Sequence, residues 1–376
     1  MEHTKSVVIV EEIATQSGHT IGVLTLNKPK ALNALDLEMA SLLLDALQAW
    51  ANRSDLVCVV LKAAGEKAFC AGGDIVSMYN AMLESNGEIP DFLASFFRTE
   101  YTLDYTIHHY TKPIIVWGSG IVMGGGMGLI CGASHRVVTE TSRLAMPEIT
   151  IGLYPDVGGS YFLPRLPGKT GLFLGLTGVQ MNGADACYVE LADVLVASDQ
   201  QPAMFDALQS FSWKLDDKSE SLNGQVTTIL NGLNTPENEL VTNVKSHRAV
   251  IEKWCEPDNV TDVVNNLLSA DVSEDKWLSR AQSTLAKGSP ITAHLVFEEC
   301  KRGAELSLAD CFRMEAIMSC RCGQHGEFQE GVRALLIEKD LSPKWKYKRV
   351  EDVPEEVVAS FFDSPWTNET HPLADL

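Results

Sequence analysis

In the first part of the chain, apolar runs typical of strands are separated by a segment with apolar residues at helical spacing. Residues 20–29, TIGVLTLNKP, form a β-rich run that ends at a proline. Residues 56–63, LVCVVLKA, form a continuous apolar run, which is typical of a strand covered on both faces. Between them, residues 31–50 repeat apolar side chains at helical spacing and predict an amphipathic helix.

Segments with helix patterns and segments with strand patterns continue to alternate along the chain. Residues 90–110 predict a helix, and residues 169–178 predict a helix that ends at Gly178 as its C-cap. The apolar runs KPIIVWGSG at 112–120 and SHRVVTE at 134–140 predict two further strands.

After Gln200 the strand signals almost vanish, and helical patterns joined by polar connectors dominate. Segments in which strands and helices alternate favour an α/β fold. We therefore predict an α/β core over residues 1–200 and a helical C-terminal region over residues 201–376.

Composition and charge narrow the range of partners. The chain has 376 residues, of which 45% are hydrophobic and 21% charged, as expected for a soluble globular protein with a large core. Its net charge of −20 disfavours non-specific binding to nucleic acid or to an anionic membrane. Residues 113–133 carry no charge and are long enough to span a bilayer. Their seven glycines instead favour a buried strand, a glycine turn and a short buried helix.

The cysteine pattern favours a reducing compartment. Nine cysteines, an odd number, are mostly scattered along the chain and do not suggest a disulfide framework. No secretory or Arg-rich transit segment opens the sequence, so we predict a cytoplasmic protein, although a mature mitochondrial matrix form would look the same. The cluster from Cys320 to His325 lacks the second ligand pair of a structural zinc site, so no metal is predicted.

Two glycine turns are candidates for chemistry. KAFCAGGDI at 67–75 and GSGIVMGGGMG at 118–128 each follow an apolar run. Taken singly, the first fits a tight turn with Asp74 as a helix N-cap, and the second fits close helix packing equally well. The spacing of the second does not match a dinucleotide-binding fingerprint. Taken together, two such turns can each supply one main-chain amide to a single oxygen, which is an oxyanion hole.

Two carboxylates stand out in a nearly uncharged stretch, residues 145–165. Glu148 and Asp156 each follow a proline and are surrounded by apolar residues and glycines. A glutamate in apolar surroundings has a raised pKa, which suits a general base or a nucleophile. A helix cap for Glu148 and an Asx-turn for Asp156 are the structural alternatives.

Four motifs, in this order, carry a family resemblance: LNKPKALNAL (26–35), KAFCAGGDI (67–75), GIVMGGGMGL (120–129) and MPEITIGLYPDVGGSYFLPRL (146–166). The chain resembles the crotonase (enoyl-CoA hydratase/isomerase) superfamily over nearly its whole length. The resemblance implies a spiral of ββα turns that binds acyl-CoA, with the amides of Gly73 and Gly125 holding the thioester carbonyl. It implies no separate cofactor, because CoA is part of the substrate.

The departures from the family pattern indicate the reaction. Hydratases of this family use two glutamates, and the first falls at Gly128 here. Glu148 matches the remaining one. Asp156 and Glu100 resemble an aspartate and a substrate-site glutamate of the family members that hydrolyse short 3-hydroxyacyl-CoA thioesters.

We therefore predict a thioester hydrolase. Glu148 attacks the carbonyl or activates a water, Asp156 orients that water or Glu148, and Glu100 meets the hydroxyl end of the substrate. A single-glutamate enoyl-CoA isomerase or hydratase and a non-catalytic acyl-CoA-binding protein are the alternatives. A homo-oligomer is possible, and the oligomeric state stays open.

Overall fold

The computed structural model describes residues 6–215, 221–238 and 240–376. The chain divides into two compact units that interleave along the sequence. The first comprises Met1–Gly73, Leu103–Leu144 and Met181–Thr242, and the second comprises Asp74–Thr102, Ala145–Gln180 and Asn243–Leu376.

Nine β-strands lie in the described residues and form two sheets. They are β1 Val8–Ala14, β2 Thr20–Leu26, β3 Leu56–Ala63, β4 Ala68–Cys70, β5 Ile114–Gly118, β6 Ile121–Met123, β7 His135–Thr139, β8 Arg143–Ala145 and β9 Val194–Val196.

The larger sheet has the order β1-β2-β3-β5-β7-β9. β1 pairs antiparallel with β2, and every later pair is parallel. The apolar runs in β2, β3 and β5 are almost fully buried, as expected for parallel strands covered on both faces.

The smaller sheet has the order β4-β6-β8. β4 and β6 are parallel, with Cys70 opposite Val122. The carboxyl ends of parallel neighbours meet at one edge of a sheet. The glycine turns that follow β4 and β6 therefore lie at the same edge.

Sixteen α-helices lie in the described residues. They are α1 Leu37–Ala51, α2 Ile75–Glu84, α3 Asp91–His108, α4 Gly125–Cys131, α5 Gly159–Phe162, α6 Thr170–Thr177, α7 Gly183–Tyr188, α8 Gln201–Ser210, α9 Leu222–Asn231, α10 Asn243–Trp254, α11 Val260–Ser269, α12 Lys276–Lys287, α13 Pro290–Gly303, α14 Leu308–His325, α15 Glu327–Val332 and α16 Glu355–Ser360.

Most elements appear where the sequence predicts them, but the predicted start of α1 is wrong. Leu32 and Asn33 have φ angles of 52° and 54°, in the left-handed region that interrupts a helix. α1 begins only at Leu37, where the carboxylate of Asp36 accepts a hydrogen bond from the Met39 N–H at 2.7 Å. Gly178 ends α6 in the left-handed conformation, which confirms its predicted role as a C-cap.

The uncharged stretch 113–133 folds as β5, β6 and α4, which confirms the prediction of strand, turn and short helix. None of the helices in the described ranges is long and apolar enough to cross a membrane. Beyond β9 the described elements are all helical. The boundary at residue 200 stays a prediction about chain organisation, because the two compact units do not divide there.

Helices α13 and α14 contribute to the core of the second unit. A Cβ on Gly303 of α13 would lie 1.8 Å from the Ser160 carbonyl oxygen, so α13 contacts α5 main chain to main chain. α14 buries a face that includes Phe312, Glu315 and Ser319. A glutamate and a serine thus sit among apolar neighbours, where each requires a hydrogen-bond partner.

Candidate active site

The first glycine turn follows β4 and leaves the N–H of Gly73 outside the neighbouring bridge. Leu35 and Gly73 face each other in an isolated parallel bridge, and the Leu35 N–H donates to the Gly72 carbonyl at 2.8 Å. In a parallel bridge one residue bonds to the two neighbours of its opposite residue, so the Gly73 N–H points to the other side. Gly72 has a φ of +107°, which requires glycine at this point of the turn.

The second glycine turn follows β6 and meets the first within the first unit. Gly125 is the first residue of α4, and the N–H groups of a first helical turn have no acceptor inside the helix. A Cβ on Gly126 would lie 2.4 Å from the Cys70 carbonyl oxygen, so the start of α4 contacts the end of β4. The turns that carry Gly73 and Gly125 are thus neighbours, as an oxyanion hole made of two main-chain amides requires.

Glu148 is buried in the second unit, at the start of the 3-10 turn Glu148–Thr150. Its carbonyl oxygen accepts hydrogen bonds from the N–H groups of Ile151 at 2.9 Å and Leu153 at 3.2 Å, which fix the main chain. Its carboxyl Oε2 has no hydrogen-bond partner among the described residues. Burial raises the pKa of Glu148 well above its usual range, and the charge of Asp156 raises it further. Such a carboxylate is a stronger base than a solvated one.

Asp156 lies in a strained turn that leads into α5. It is buried, and the next residue, Val157, has a φ of +54°, which is unusual for a β-branched side chain. Strain of this kind costs on the order of 1–3 kcal/mol and clusters at functional sites. Gly158 follows with a φ of +89°, and the Gly159 N–H donates to the Asp156 carbonyl at 2.8 Å. Burial raises the pKa of the Asp156 carboxyl to about 6, against the lowering effect of its bond with Tyr101.

A series of buried hydroxyl groups leads away from Asp156. Tyr101 Oη lies 2.7 Å from Asp156 Oδ2 and 2.8 Å from Ser319 Oγ. Ser319 Oγ lies 2.8 Å from Tyr154 Oη, which lies 2.7 Å from the Glu315 carbonyl oxygen. Tyr101, Ser319 and Tyr154 are fully buried, and we call them the hydroxyl chain. They tie the Asp156 carboxyl to α3 and α14.

The side chain of Glu315 holds the same turn from α14. Its carboxylate accepts hydrogen bonds from the N–H groups of Gly158 at 2.8 Å and Ser160 at 3.0 Å, and from the Ser160 hydroxyl at 2.5 Å. Burial raises the pKa of Glu315 to about 8, against the lowering effect of these bonds. Glu315 therefore stabilises the main chain just beyond the strained Val157.

A fourth buried acid, Glu299, lies on α13. Neither of its carboxyl oxygens has a hydrogen-bond partner among the described residues. Burial raises its pKa well above the usual range, and the charges of Glu315, Asp156 and Glu148 raise it further. We call these four residues the acid cluster. Because like charges oppose ionisation, the titration of each acid in the cluster depends on that of its charged neighbours.

Glu100 is also buried, on α3 next to Tyr101 of the hydroxyl chain. Its charge contributes to raising the pKa of Tyr101, after burial and the nearer acids. Glu100, Glu148 and Asp156 all belong to the second unit. The substrate contact that the family resemblance implies for Glu100 stays a prediction.

Sequence reasoning missed five residues of this region: Tyr101, Tyr154, Glu299, Glu315 and Ser319. A signal was present, because polar residues on the apolar face of a helical pattern need partners in the core. On α14 the polar pair shares one buried face with apolar residues three or four positions away: Cys311, Phe312, Met318 and Cys322. Which partners they find depends on long-range packing and is not visible in the pattern.

The comparisons with known proteins agree over nearly the whole chain. The model of the enoyl-CoA hydratase/isomerase family matches residues 21–362. A Danio rerio protein described as mitochondrial 3-hydroxyisobutyryl-CoA hydrolase is 40% identical over 347 residues, which cover 91% of this chain and 87% of that protein.

Two solved structures match the fold. An enoyl-CoA hydratase from Rhodobacter sphaeroides has a TM-score of 0.81 at 32% identity, covering 96% of this chain and 98% of its own. A carnitinyl-CoA dehydratase from Mycobacterium thermoresistibile has a TM-score of 0.82 at 33% identity, covering 96% and 97%. The chain has the α/β crotonase fold and belongs to the enoyl-CoA hydratase/isomerase family.

Proposed function

We propose that the protein hydrolyses short 3-hydroxyacyl-CoA thioesters, converting 3-hydroxyisobutyryl-CoA to 3-hydroxyisobutyrate and CoA. One observation carries the proposal: Glu148 is a buried acid whose Oε2 lacks a hydrogen-bond partner among the described residues, and the family resemblance matches Gly128 to the other glutamate of hydratases. One acid suffices to attack a thioester or to activate a water. Hydration of a double bond also needs a group that delivers a proton. The description of the Danio rerio relative supports the same choice.

The amides of Gly73 and Gly125 form the oxyanion hole in this proposal. Both N–H groups donate hydrogen bonds to the thioester oxygen, which gains negative charge as the carbonyl carbon becomes tetrahedral. Loss of one such donor costs about 100-fold to 1000-fold in rate. The proximity of the two turns in the smaller sheet supports this assignment.

Glu148 acts by one of two routes. As a nucleophile, its carboxylate bonds to the carbonyl carbon, the C–S bond breaks, and water then hydrolyses the mixed anhydride. As a general base, it takes a proton from a water whose oxygen bonds to that carbon. In both routes the C–S bond breaks, the thiolate takes up a proton, and the products are a carboxylic acid and CoA. A raised pKa suits either route.

Asp156 assists Glu148, and Glu100 binds the hydroxyl end of the acyl group. The raised pKa and strained turn of Asp156 support a functional role over a turn residue alone. Glu100 is a buried acid on the helix that also carries Tyr101, and a hydroxyl group of the substrate is a natural donor to it.

We place the reaction in valine breakdown, in a compartment that keeps thiols reduced. All nine cysteines are free, which supports a reducing environment. The predicted cytoplasmic location has no support from the Danio rerio relative, which is described as mitochondrial. Fractionation of cells that express the protein with its native N-terminus decides between cytosol and mitochondrial matrix.

Release of free thiol from a panel of acyl-CoAs tests the proposal. We expect turnover of 3-hydroxyisobutyryl-CoA and related short 3-hydroxyacyl-CoAs, with no thiol released from a 3-enoyl-CoA. A double-bond shift in the 3-enoyl-CoA without thiol release would establish the isomerase alternative instead. Tight binding of all these compounds without any turnover would establish the non-catalytic acyl-CoA-binding alternative.

A further inference from the structure

The hydroxyl chain has one more contact than it has hydrogens. Four oxygen–oxygen contacts of 2.7–2.8 Å run from Asp156 through Tyr101, Ser319 and Tyr154 to the Glu315 carbonyl. Each of the three hydroxyl groups carries one hydrogen. The carbonyl oxygen at the end can only accept. Three hydrogens cannot fill four contacts.

A proton on Asp156 supplies the missing hydrogen. With that proton, Asp156 donates to Tyr101, Tyr101 to Ser319, and so on to the Glu315 carbonyl, so every contact is a hydrogen bond. Without it, one contact brings two oxygens to 2.7–2.8 Å with no hydrogen between them. Buried oxygens left in this state are costly, because the side chains that carry them are out of contact with bulk solvent.

We propose that the hydroxyl chain keeps the shared proton of the Glu148–Asp156 pair on Asp156, so that Glu148 carries the negative charge. Tyr101, Ser319 and Tyr154 are then positioning residues for the proposed hydrolysis. Ser319 and Tyr154 act on Asp156 without touching it. The assignment deepens the proposed function and rests on it for its kinetic consequence alone, because the place of the proton is a property of the folded protein.

Without the hydrogen count, the shared proton would lie on Glu148. Burial raises the pKa of Glu148 well above the usual range, whereas burial and the opposing hydrogen bond from Tyr101 together leave that of Asp156 at about 6, so these effects leave the last proton on Glu148. The hydrogen count of the hydroxyl chain opposes a proton on Glu148, because it penalises ionisation of Asp156 alone. The residue that carries the proton therefore tests the effect of the hydroxyl chain and not that of burial in general.

The other titratable groups around Asp156 oppose its ionisation. Those whose charges act together with that of Asp156 come from α3, from the segment before α5, and from α13 and α14: Tyr101, Glu148, Tyr154, Glu299, Glu315 and Cys322. Each ionises to an anion. When ionised, they therefore oppose a negative charge on Asp156, and Glu299 acts on Glu148 as well.

Infrared spectroscopy across pH locates the proton, since a protonated carboxyl has a C=O stretch that a carboxylate lacks. Asp156→Asn identifies the band of Asp156, and Glu148→Gln identifies that of Glu148. We expect the band that persists to higher pH to disappear in Asp156→Asn. Its disappearance in Glu148→Gln instead would overturn the proposal.

One tyrosine variant should lower the pH at which this band titrates. Tyr154→Phe leaves two contacts for the two remaining hydroxyl hydrogens, so Asp156 can ionise without an empty contact, and its titration should move down by about one pH unit, a tenfold change in proton affinity. Tyr110→Phe is the control, because the Tyr110 hydroxyl donates to the Leu47 carbonyl and does not belong to the hydroxyl chain.

If Tyr154→Phe fails to fold, as judged by circular dichroism, Ser319→Ala replaces it, with a smaller downward shift expected because Tyr101 also loses a donor. An unchanged or upward shift in the folded variant contradicts the proposal. In an active enzyme the alkaline limb of the kcat/KM profile should follow the infrared titration, and a limb that stays fixed contradicts it as well. Absence of all thioesterase activity refutes the proposed function, while the infrared result still decides the place of the proton.

Discussion

Replacing Glu315 by Gln removes a titrating group from the acid cluster with little change in shape. Its carboxylate accepts the N–H groups of Gly158 and Ser160 and the Ser160 hydroxyl. A Gln side chain has one oxygen and one NH₂ group, so one of these donors meets another donor. We expect this mismatch to lower the free energy of unfolding by about 1–3 kcal/mol at pH 5.

The difference between variant and wild type should change sign with pH. Burial raises the pKa of Glu315 from the ordinary 4.5 to about 8. Because the folded protein holds this proton more tightly, the resulting stability is fully present below pH 4.5 and is lost as the pH rises through about 8. At about 1.4 kcal/mol per pH unit, the wild type loses about 5 kcal/mol over this window. Gln cannot ionise, so the variant should gain about 4 kcal/mol on the wild type between pH 5 and pH 8.

Urea unfolding followed by tryptophan fluorescence at pH 5, 6, 7 and 8 measures this difference. Burial raises the pKa of Tyr110 to about 12, so the hydroxyl that Tyr110→Phe removes titrates outside the window, and the difference between this variant and wild type should be the same at every pH. If the difference between Glu315→Gln and wild type is equally constant, Glu315 is ionised in the folded protein and the reasoning fails.

Three further changes test the surrounding structure. Gly126→Ala places a Cβ 2.4 Å from a main-chain oxygen of β4 and should lower the free energy of unfolding by about 1–3 kcal/mol. Gly232→Ala is the control, because the nearest atom to its Cβ lies at 3.3 Å. Equal effects of the two changes in thermal melts would contradict the close contact at Gly126. Glu299→Met removes a buried acid without hydrogen-bond partners among the described residues, so the melting temperature at pH 8 should rise; a fall at pH 8 would show that Glu299 is stabilised by its surroundings. Asp156→Asn should lower kcat about tenfold; unchanged kcat and KM would leave it a turn residue only.

Local pattern predicted the elements that are fixed by local physics. The continuous apolar runs became parallel strands because both faces of that sheet are covered, and Gly178 ended its helix because glycine adopts a positive φ easily. The motifs also led to the glycine turns after β4 and β6. The start of α1 was missed because apolar spacing alone does not register two local signals, Asn33, a residue type that tolerates the left-handed region, and Asp36, a preferred N-cap.

The surroundings of Asp156 could not be predicted for a different reason. Tyr101 and Ser319 are 218 positions apart in the chain, and Gly158 and Glu315 are 157 apart. Contacts of this range depend on how α3 and α14 pack in the second unit, which the periodicity of either helix does not specify. The sequence therefore predicts that the acids are unusual, and the structure adds the hydrogen-bond partners that surround them.

Turnover of 3-hydroxyisobutyryl-CoA by Glu148→Gln tests the central claim most directly. The measurement compares wild type, Glu148→Gln and Glu298→Gln, with folding checked by circular dichroism. Glu298→Gln is the control: Glu298 precedes Glu299 in the chain, and its carboxylate pairs with Arg302. The account predicts that Glu148→Gln folds normally and lowers kcat for thiol release by about 100-fold or more, while Glu298→Gln keeps the wild-type rate. A folded Glu148→Gln variant that releases thiol within a few-fold of the wild-type rate would contradict it.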